Sequence, residues 1–362
     1  AARAFAGLTA WLRERPAADQ ARHACGPELL ELLVRRGHWC DRGPAELLRE
    51  ARARLTDAEA RLDAMSRYAG RGGLPEVQER LAADHPAPEA YLDAFHRIWE
   101  ECRAAAVAAD LVTWPEAPIR YRFIPEATRE AAPHLYYLFY RSPAPFDRAP
   151  VHDYVVTPLD PSAPLDAQQA VLRANSHATI KLNHVVHHGA LGHHVQNAHA
   201  YAGASLVGRV AAVDAASRIT MFAGGSLAEG WACYATDLME EVGFLTMLER
   251  VSEQHTRVRL LARAVVDLSL HTGALSMDEA AALFRDRARM PDPAARAEVA
   301  KASMFPGTAM MYWLGTQGIH DLRAARSLSG GAGSTLRRFH DTLLSYGAVP
   351  VPLIARLMRE AP

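Results

Sequence analysis

The distribution of proline is the feature that most constrains the fold of this chain. Ten of its 22 prolines lie within residues 111–165. Because proline breaks an α-helix beyond its first turn, this segment cannot form long helices. Its short runs Ile119–Phe123, Leu135–Tyr140 and Asp153–Thr157 are rich in β-branched and aromatic residues, which favour strands. We therefore expect a small β-sheet or hairpin set here, or else an irregular loop that packs its aromatic side chains on helices.

The sequence on both sides of this segment is typical of helices. Residues 1–110 are rich in Ala, Leu, Arg and Glu, which are strong helix formers. Helical patterns return at Asp166, where we expect a helix that runs into the histidine-rich stretch described below. Another helix is predicted over about 244–272, and Ser276-Met-Asp-Glu279 is a capping box that begins a further one. The chain is thus predicted to be mainly α, in one compact unit with three parts: a helical scaffold at 1–110, the proline-rich segment at 111–165, and a helical region at 166–362.

Charge and composition narrow the classes of partner. The chain has 40 Lys and Arg against 41 Asp and Glu, so its net charge gives no reason to expect nucleic acid or an anionic membrane as a partner. No apolar run approaches the ~18 residues that a membrane-spanning helix needs. The N-terminal residues lack the order of a secretory signal, and the four cysteines are scattered without a CxxC pair, as in proteins with reduced thiols. These observations predict a cytoplasmic protein with a small molecule or a peptide as its partner.

Histidine is concentrated in one short stretch. Seven of the 17 histidines lie between residues 177 and 199, namely His177, His184, His187, His188, His193, His194 and His199. Imidazole is the commonest protein ligand for zinc, and it also suits iron and copper. The stretch is therefore a candidate metal site.

Helix geometry allows two different pairs of these histidines to bind a metal. His184 and His188 are four residues apart and lie on one face of a continuous helix. His187 and His193 are six residues apart, which places them about 120° apart around a helix and ~9 Å apart along it. They can converge only if the helix is broken between them, and the Gly-Ala-Leu-Gly stretch 189–192 permits such a break. The spacing alone does not choose between the two pairs.

Four segments together resemble a known bacterial family. They read VVHHGALGHHVQ, AEGWACY, FPGTAMMYWLG and FHDTLLSYGAVPVPLI, and in order and spacing they are similar to the family called domain of unknown function 885. The resemblance covers roughly residues 170–360. It implies a multi-helix scaffold like that of zinc metallopeptidases of the HExxH type.

The resemblance also implies roles for individual residues. His187, His193 and Glu229 match the metal ligands of the family, and Tyr312 matches a tyrosine that could stabilise an oxyanion. His188 stands where the family has the glutamate that acts as general base. Histidine can act as a base near neutral pH, but it can equally bind the metal or mark a lost activity.

A second pair of polar residues is a weaker candidate. Asp267 and His271 are four residues apart on a predicted helix, and the family tends to carry Asp and His in this stretch. They either line the pocket as a carboxylate–imidazole pair, with His271 as a catalytic residue, or make a surface or capping interaction.

The function expected from these features is that of a metal-dependent enzyme. One divalent ion, zinc first and iron as the alternative, would serve a reaction on a peptide, an amide or an amino-acid-like small molecule. The replaced glutamate favours a specialised reaction over general proteolysis. Two alternatives stay open: an oxygenase of the non-haem iron type, which uses two histidines and one carboxylate, and a relative that has lost catalysis.

Overall fold

Helices form most of this protein in a computed structural model that describes residues 2–16, 23–129, 143, 145–147, 149–212, 224–328 and 335–360. The helices are α1 Ala2–Arg13, α2 Pro27–Leu32, α3 Pro44–Ala69, α4 Gly73–Ala83, α5 Tyr91–Ala108, α6 Leu165–Ala174, α7 His177–Thr179, α8 His193–Ala202, α9 Leu206–Ala211, α10 Gly225–Glu241, α11 Met247–His271, α12 Met277–Asp286, α13 Asp292–Met304, α14 Met311–Leu328, α15 Leu336–Ser345 and α16 Val351–Glu360. Two π-helical segments, Leu33–Gly37 and Ile180–Gly189, continue α2 and α7, and short 3₁₀ turns lie at Pro88–Ala90 and Glu126–Thr128. The predicted mainly α fold is confirmed.

The proline-rich segment contains a two-stranded sheet. Strands β1 Ile119–Phe123 and β2 His152–Val156 pair in parallel, with Ile119 opposite His152. A small sheet is therefore confirmed, but the hairpin alternative is wrong, because hairpin strands are antiparallel. The third predicted strand, Leu135–Tyr140, lies outside the described residues.

The two-stranded sheet packs against one face of the histidine-rich segment. Tyr121 of β1 and Tyr154 of β2 are buried, and their rings are in tilted contact with centroids 4.9 Å apart. The Tyr154 hydroxyl lies 2.6 Å from Nδ1 of His184. The two strands thus fix one face of the segment Ile180–Gly189.

Most predicted helices are present, with one difference next to the histidine-rich stretch. The long helix expected over 244–272 is α11, and the capping box of Ser276 and Glu279 begins α12. The helix that opens near Asp166 does not run into the histidines, so that prediction is wrong. It ends at Ala174, and the Ser176 hydroxyl caps a new helix by accepting from the backbone N–H of Thr179. The cap begins a separate helix at His177, which is the first residue of the histidine-rich stretch.

Two hydrophobic cores hold the helices together. One is formed by α5, both strands, the segment Ile180–Gly189, α10 and the C-terminal helices, with Trp231 buried in it. The other is formed by α2–α4 with α11–α13, so the N-terminal helices pack on α11, much later in the chain. The division of the chain at residues 110 and 165 stays a prediction.

Helices α10 and α14 cross at a glycine–glycine contact. A Cβ on Gly230 would lie 2.5 Å from Cα of Gly315, and a Cβ on Gly315 would lie 1.8 Å from the carbonyl oxygen of Ser226. Only glycine at both positions permits so close an approach. The contact brings together the segment AEGWACY, which carries Glu229, and the segment that carries Tyr312.

Candidate metal centre

Three separate elements carry the predicted metal ligands. His187 lies near the end of the π-helical segment Ile180–Gly189, His193 is the first residue of α8, and Glu229 lies in the first turns of α10. Between the two histidines the chain leaves helical geometry at Ala190 and Gly192. The helix is therefore broken between His187 and His193, as it must be if both are to bind one metal ion.

The break depends on close contacts at its two glycines, Gly189 and Gly192. A Cβ on Gly192 would lie 1.9 Å from the carbonyl oxygen of His187, and a Cβ on Gly189 would lie 2.1 Å from the hydroxyl oxygen of Tyr121. The backbone N–H of Gly192 donates to the carbonyl of Val186 at 2.8 Å. This contact folds the chain back on itself and brings His193 beside His187.

Two tryptophans from other helices hold the carbonyl groups that the break leaves exposed. The indole N–H of Trp99 in α5 donates to the carbonyl of Gly189, and that of Trp231 in α10 donates to the carbonyl of Leu191, both at 2.8 Å. A buried carbonyl without a donor would cost about 1–3 kcal/mol. Trp231 also lies two residues after Glu229, so the same turn of α10 supplies a candidate ligand and fixes the loop between the other two.

The predicted ligands converge in space. Oε2 of Glu229 lies 3.4 Å from Nε2 of His187 and 3.5 Å from Nε2 of His193. The three side chains are 13–22% exposed, so they are largely enclosed but still open to solvent. The sequence had left two histidine pairs possible, and the geometry favours His187 with His193.

His188 also belongs to this group. Each of His187, His188 and His193 offers a ring nitrogen, and these atoms all lie within 4.8 Å of one another. Nδ1 of His188 lies 2.7 Å from the carbonyl oxygen of Asn183. Because a carbonyl only accepts, His188 donates from Nδ1, and its ring lone pair is then on Nε2. A metal-binding histidine commonly shows this arrangement, with one ring nitrogen held by a carbonyl.

The environment sets the charges of these groups. Burial lowers the pKa of His187, and burial together with the charges of His187 and His193 holds the pKa of His188 well below its usual 6.5. Burial raises the pKa of Glu229, but its contacts with His193 and His187 outweigh burial and hold that pKa well below 4.5. Neutral imidazole and ionised carboxylate are the forms that donate electron pairs to a metal.

The four residues line a cavity of about 460 Å³. Tyr312, at the start of α14, lines the same cavity, as the predicted oxyanion role requires. The ring centroid of Tyr312 lies 5.7 Å from the guanidinium carbon of Arg263. A cavity of this size is typical of small-molecule sites.

The remaining histidines of the stretch have structural contacts. His184 lies between Tyr154 and Phe95, and the ring of His194 is buried with Nε2 2.7 Å from the carbonyl of Ala117. His177 pairs with Asp84, and His199 lies 2.8 Å from the carbonyl of Thr113. None of these four is among the residues that line the described part of the cavity.

Asp267 and His271 lie elsewhere, in the second core. Asp267 is buried and accepts the backbone N–H groups of Gly307 and Ala309, each at 2.8 Å. The ring of His271 is held by the backbone N–H of Cys25 at Nδ1 and by the carbonyl of Ala302 at Nε2. The pair therefore caps and packs the loop before α14, and the structure does not bring His271 to the cavity as a catalytic residue.

Several residues at the site were not found from the sequence. Trp99 and the cations Arg259, Arg263 and Lys301 lie far from the histidines along the chain, and no local pattern marks them. Gln196 carried a signal, because it belongs to the segment VVHHGALGHHVQ, but it had no predicted role. Its side chain lines the cavity one turn after His193.

Comparison with known proteins identifies both a family and a fold. The sequence profile of the family described as "Bacterial protein of unknown function (DUF885)" matches residues 1–358. The structure is similar to that of a "putative lipoprotein of unknown function" from Shewanella oneidensis, with a TM-score of 0.78 and 20% identity over 98% of this chain. It is also similar to that of a "putative lipoprotein" from Colwellia psychrerythraea, with a TM-score of 0.72 and 20% identity over 94% of this chain. No curated protein matches the chain.

Comparison with these two structures corrects one prediction and shows that both neighbours are longer than this chain. Both are described by the words "putative lipoprotein", so the predicted cytoplasmic location is wrong by this comparison. This chain spans 63% and 57% of the lengths of the two neighbours. Among the described helices of this chain, none is long and apolar enough to cross a membrane.

Proposed function

We propose that this chain, which belongs to the DUF885 family of bacterial proteins, is a metal-dependent enzyme with a metal ion held by His187, His193 and Glu229. One observation carries this proposal. The donor atoms come from three separate elements, and Nε2 of His187 and Nε2 of His193 each lie within 3.5 Å of Oε2 of Glu229 in the wall of a cavity. A break in the helix and the hydrogen bonds of Trp99 and Trp231 maintain this convergence.

The donor set fits a catalytic metal. Two histidines and one carboxylate form a set that leaves a coordination position for water or substrate. Zinc held by these residues would polarise a carbonyl group and lower the pKa of a water molecule bound to it. The same set also binds iron in non-haem oxygenases, so the identity of the ion is a separate question.

The surrounding residues suit hydrolysis of a peptide, an amide or an amino-acid-like small molecule on a scaffold like that of zinc peptidases. Nε2 of His188 carries the ring lone pair at neutral pH, so it would accept a proton from the attacking water and pass it to the leaving amine. The Tyr312 hydroxyl, in the same cavity, donates a hydrogen bond to the oxyanion that forms. The low exposure of His187, His193 and Glu229 strengthens electrostatic interactions within the site.

The position of His188 favours a second arrangement of the same site. Since its ring nitrogen lies within 4.8 Å of those of His187 and His193, His188 can serve as a third histidine ligand in place of Glu229. The variant His188→Ala separates the two arrangements. If His188 is the base, this variant keeps its metal and loses turnover, and if His188 is a ligand, it loses the metal.

The test of the proposed function is elemental analysis of protein purified without added metal. We expect about one equivalent of a divalent metal in the wild type and in the control His199→Ala, and a loss in His187→Ala and His193→Ala. Zinc with hydrolysis of an amide panel supports the hydrolase. Iron with oxygen-dependent turnover would replace it with an oxygenase. No bound metal in the wild type would show that the family member has lost this site.

A further inference from the structure

One buried side chain in the cavity has polar atoms without a described partner. Gln196 of α8 lines the cavity and is only 1% exposed. Neither its amide nitrogen nor its amide oxygen has a hydrogen-bond partner among the residues that the structure describes. Because burial removes an amide from water, a buried amide without hydrogen bonds is unfavourable. Packing alone therefore does not account for a glutamine at this position.

A second buried glutamine has the contacts of a structural residue. Gln254 of α11 is 2% exposed, and its amide nitrogen donates to the backbone carbonyl of Ala58 in α3 at 2.9 Å. This hydrogen bond joins two helices of the second core. The amide of Gln254 thus stabilises the fold, whereas the described residues offer the amide of Gln196 no such contact.

Gln196 lies one helical turn after the candidate metal ligand His193, and both side chains line the same cavity. Side chains three residues apart are neighbours on a helix surface, with Cβ atoms about 5–6 Å apart. An extended peptide advances by about 3.3 Å per residue, so this separation corresponds to one or two residues. A peptide with one amide group at the metal would therefore place a neighbouring residue at Gln196.

The side-chain amide of glutamine matches the backbone of an extended peptide. It carries one acceptor oxygen and one donor NH₂ group. In an extended chain the N–H and C=O groups of one residue point to the same side, as they do when two antiparallel strands exchange a pair of hydrogen bonds. One residue of a bound peptide can therefore satisfy both polar atoms of Gln196 at once. A single secondary amide cannot, because its N–H and C=O groups point in opposite directions across the trans bond.

We propose that Gln196 binds the backbone of a peptide substrate through the N–H and C=O groups of a residue next to the amide at the metal. Its amide oxygen accepts from that N–H group, and its amide nitrogen donates to that carbonyl group. This assignment rests on the proposed function, because the metal ion held by His187, His193 and Glu229 fixes the neighbouring amide. It narrows the substrate class to peptides with at least two amide groups, and a cavity of about 460 Å³ has room for a short peptide.

Binding of hydroxamates to the metal-loaded protein tests this assignment without requiring turnover, since a hydroxamate binds a metal ion where the amide would lie. N-acetylglycylglycine hydroxamate is compared with the analogue in which an ester oxygen replaces the N–H group of its first residue. A second pair, glycine methylamide acylated by succinic monohydroxamate and its ester analogue, extends from the hydroxamate in the opposite direction.

Isothermal titration calorimetry measures the affinity of each probe. We expect the wild type to bind the amide of one pair about tenfold more tightly than the corresponding ester. The ester loses one hydrogen bond and places an oxygen atom against the amide oxygen of Gln196, and the loss of such a contact changes affinity by about this factor.

Two matched variants assign the preference to Gln196. Gln196→Met replaces the amide by an apolar chain of similar length and should bind amide and ester with equal affinity. Gln254→Met removes the other buried amide, which does not line the described part of this cavity, and should retain the tenfold preference. Thermal unfolding should show the opposite pattern. Gln254→Met lowers the Tm because it loses the hydrogen bond to Ala58, whereas Gln196→Met does not.

Three results would overturn the assignment and leave the metal site intact. One is equal binding of amide and ester in both pairs by wild-type protein that binds acetohydroxamate. Another is a preference for the amide that persists in Gln196→Met. The third is a fall in Tm in Gln196→Met as large as that in Gln254→Met, which would show that the side chain has a structural role. If acetohydroxamate itself does not bind at millimolar concentration and elemental analysis finds no metal, the proposed function is overturned and this assignment with it.

Discussion

The substitution Gly192→Ala tests whether the break in the helix creates the site. A Cβ at this position would lie 1.9 Å from the carbonyl oxygen of His187, 2.6 Å from its carbonyl carbon and 2.8 Å from the carbonyl oxygen of Val186. All three atoms belong to the backbone, so no side-chain rotation relieves the contact. The chain must move apart by roughly 1 Å or more, because ordinary contacts of Cβ with backbone oxygen exceed 3.0 Å.

The size of the effect follows from this forced movement. Overpacking that shifts the backbone costs about 1–3 kcal/mol, and the upper end applies because the contact is with backbone. The lower entropy of alanine in the unfolded chain offsets about 0.4–1 kcal/mol of that cost. We therefore expect Gly192→Ala to lower the free energy of unfolding by about 2 kcal/mol, which for a chain of this size lowers the Tm by roughly 3 °C.

The same movement should affect metal binding more strongly than stability. Ligand positions in a metal site are defined to within about 0.2 Å, and the shift separates His187 from His193. We expect Gly192→Ala to lose most of its bound metal in elemental analysis. Gly7→Ala is the control, since a Cβ there meets nothing within 4 Å, and it should keep its metal and its Tm. A Gly192→Ala protein with wild-type metal content and a Tm within about 1 °C of the wild type would refute the role of the break.

Three further predictions concern the supports of the site and the second core. Trp231→Phe should cost about 1–3 kcal/mol in urea unfolding because it leaves the buried carbonyl of Leu191 without its donor, whereas the exposed Trp11→Phe should cost almost nothing. Chelator should lower the Tm of the wild type but not that of His187→Ala; equal shifts would contradict a stabilising ion at this site. Burial raises the pKa of Asp267 from 3.8 to about 7. The folded state therefore holds a proton that the unfolded chain releases, and this contribution to stability is complete below about pH 4 and declines as the pH rises to about 7. Asp267→Asn should accordingly cost more at pH 5 than at pH 8 in chemical unfolding, and a penalty independent of pH would contradict the raised pKa.

Local signals in the sequence were sufficient for the helical fold. The capping box at Ser276 and Glu279 depends on residues within one turn, and the prolines of 111–165 exclude long helices wherever that segment lies. The parallel pairing of β1 and β2 was not predictable in this way. The pairing joins residues about 30 positions apart, and alternation of side chains does not distinguish parallel from antiparallel partners.

The candidate site also contains residues that the sequence predicted correctly and one that it did not. Motif resemblance singled out His187, His193 and Glu229, and the structure brings these residues together. The motif resemblance also suggested His271, because its spacing of four residues from Asp267 fits a pair that lines a pocket as well as a pair that caps a loop. Packing of the loop before α14 on α11 made it a capping pair, and this depends on contacts that helix periodicity does not encode.

The sequence by itself determined which residue types were available for metal binding and where the helix could break, because both are properties of the chain within a few residues. Only the tertiary structure decided that the break occurs, since the carbonyl groups it exposes are bound by Trp99 and Trp231 from distant helices. Tertiary packing also placed Arg259 and Lys301 in the lining of the cavity that the histidines line. Residues that meet only through the packing of two cores leave no pattern along the chain.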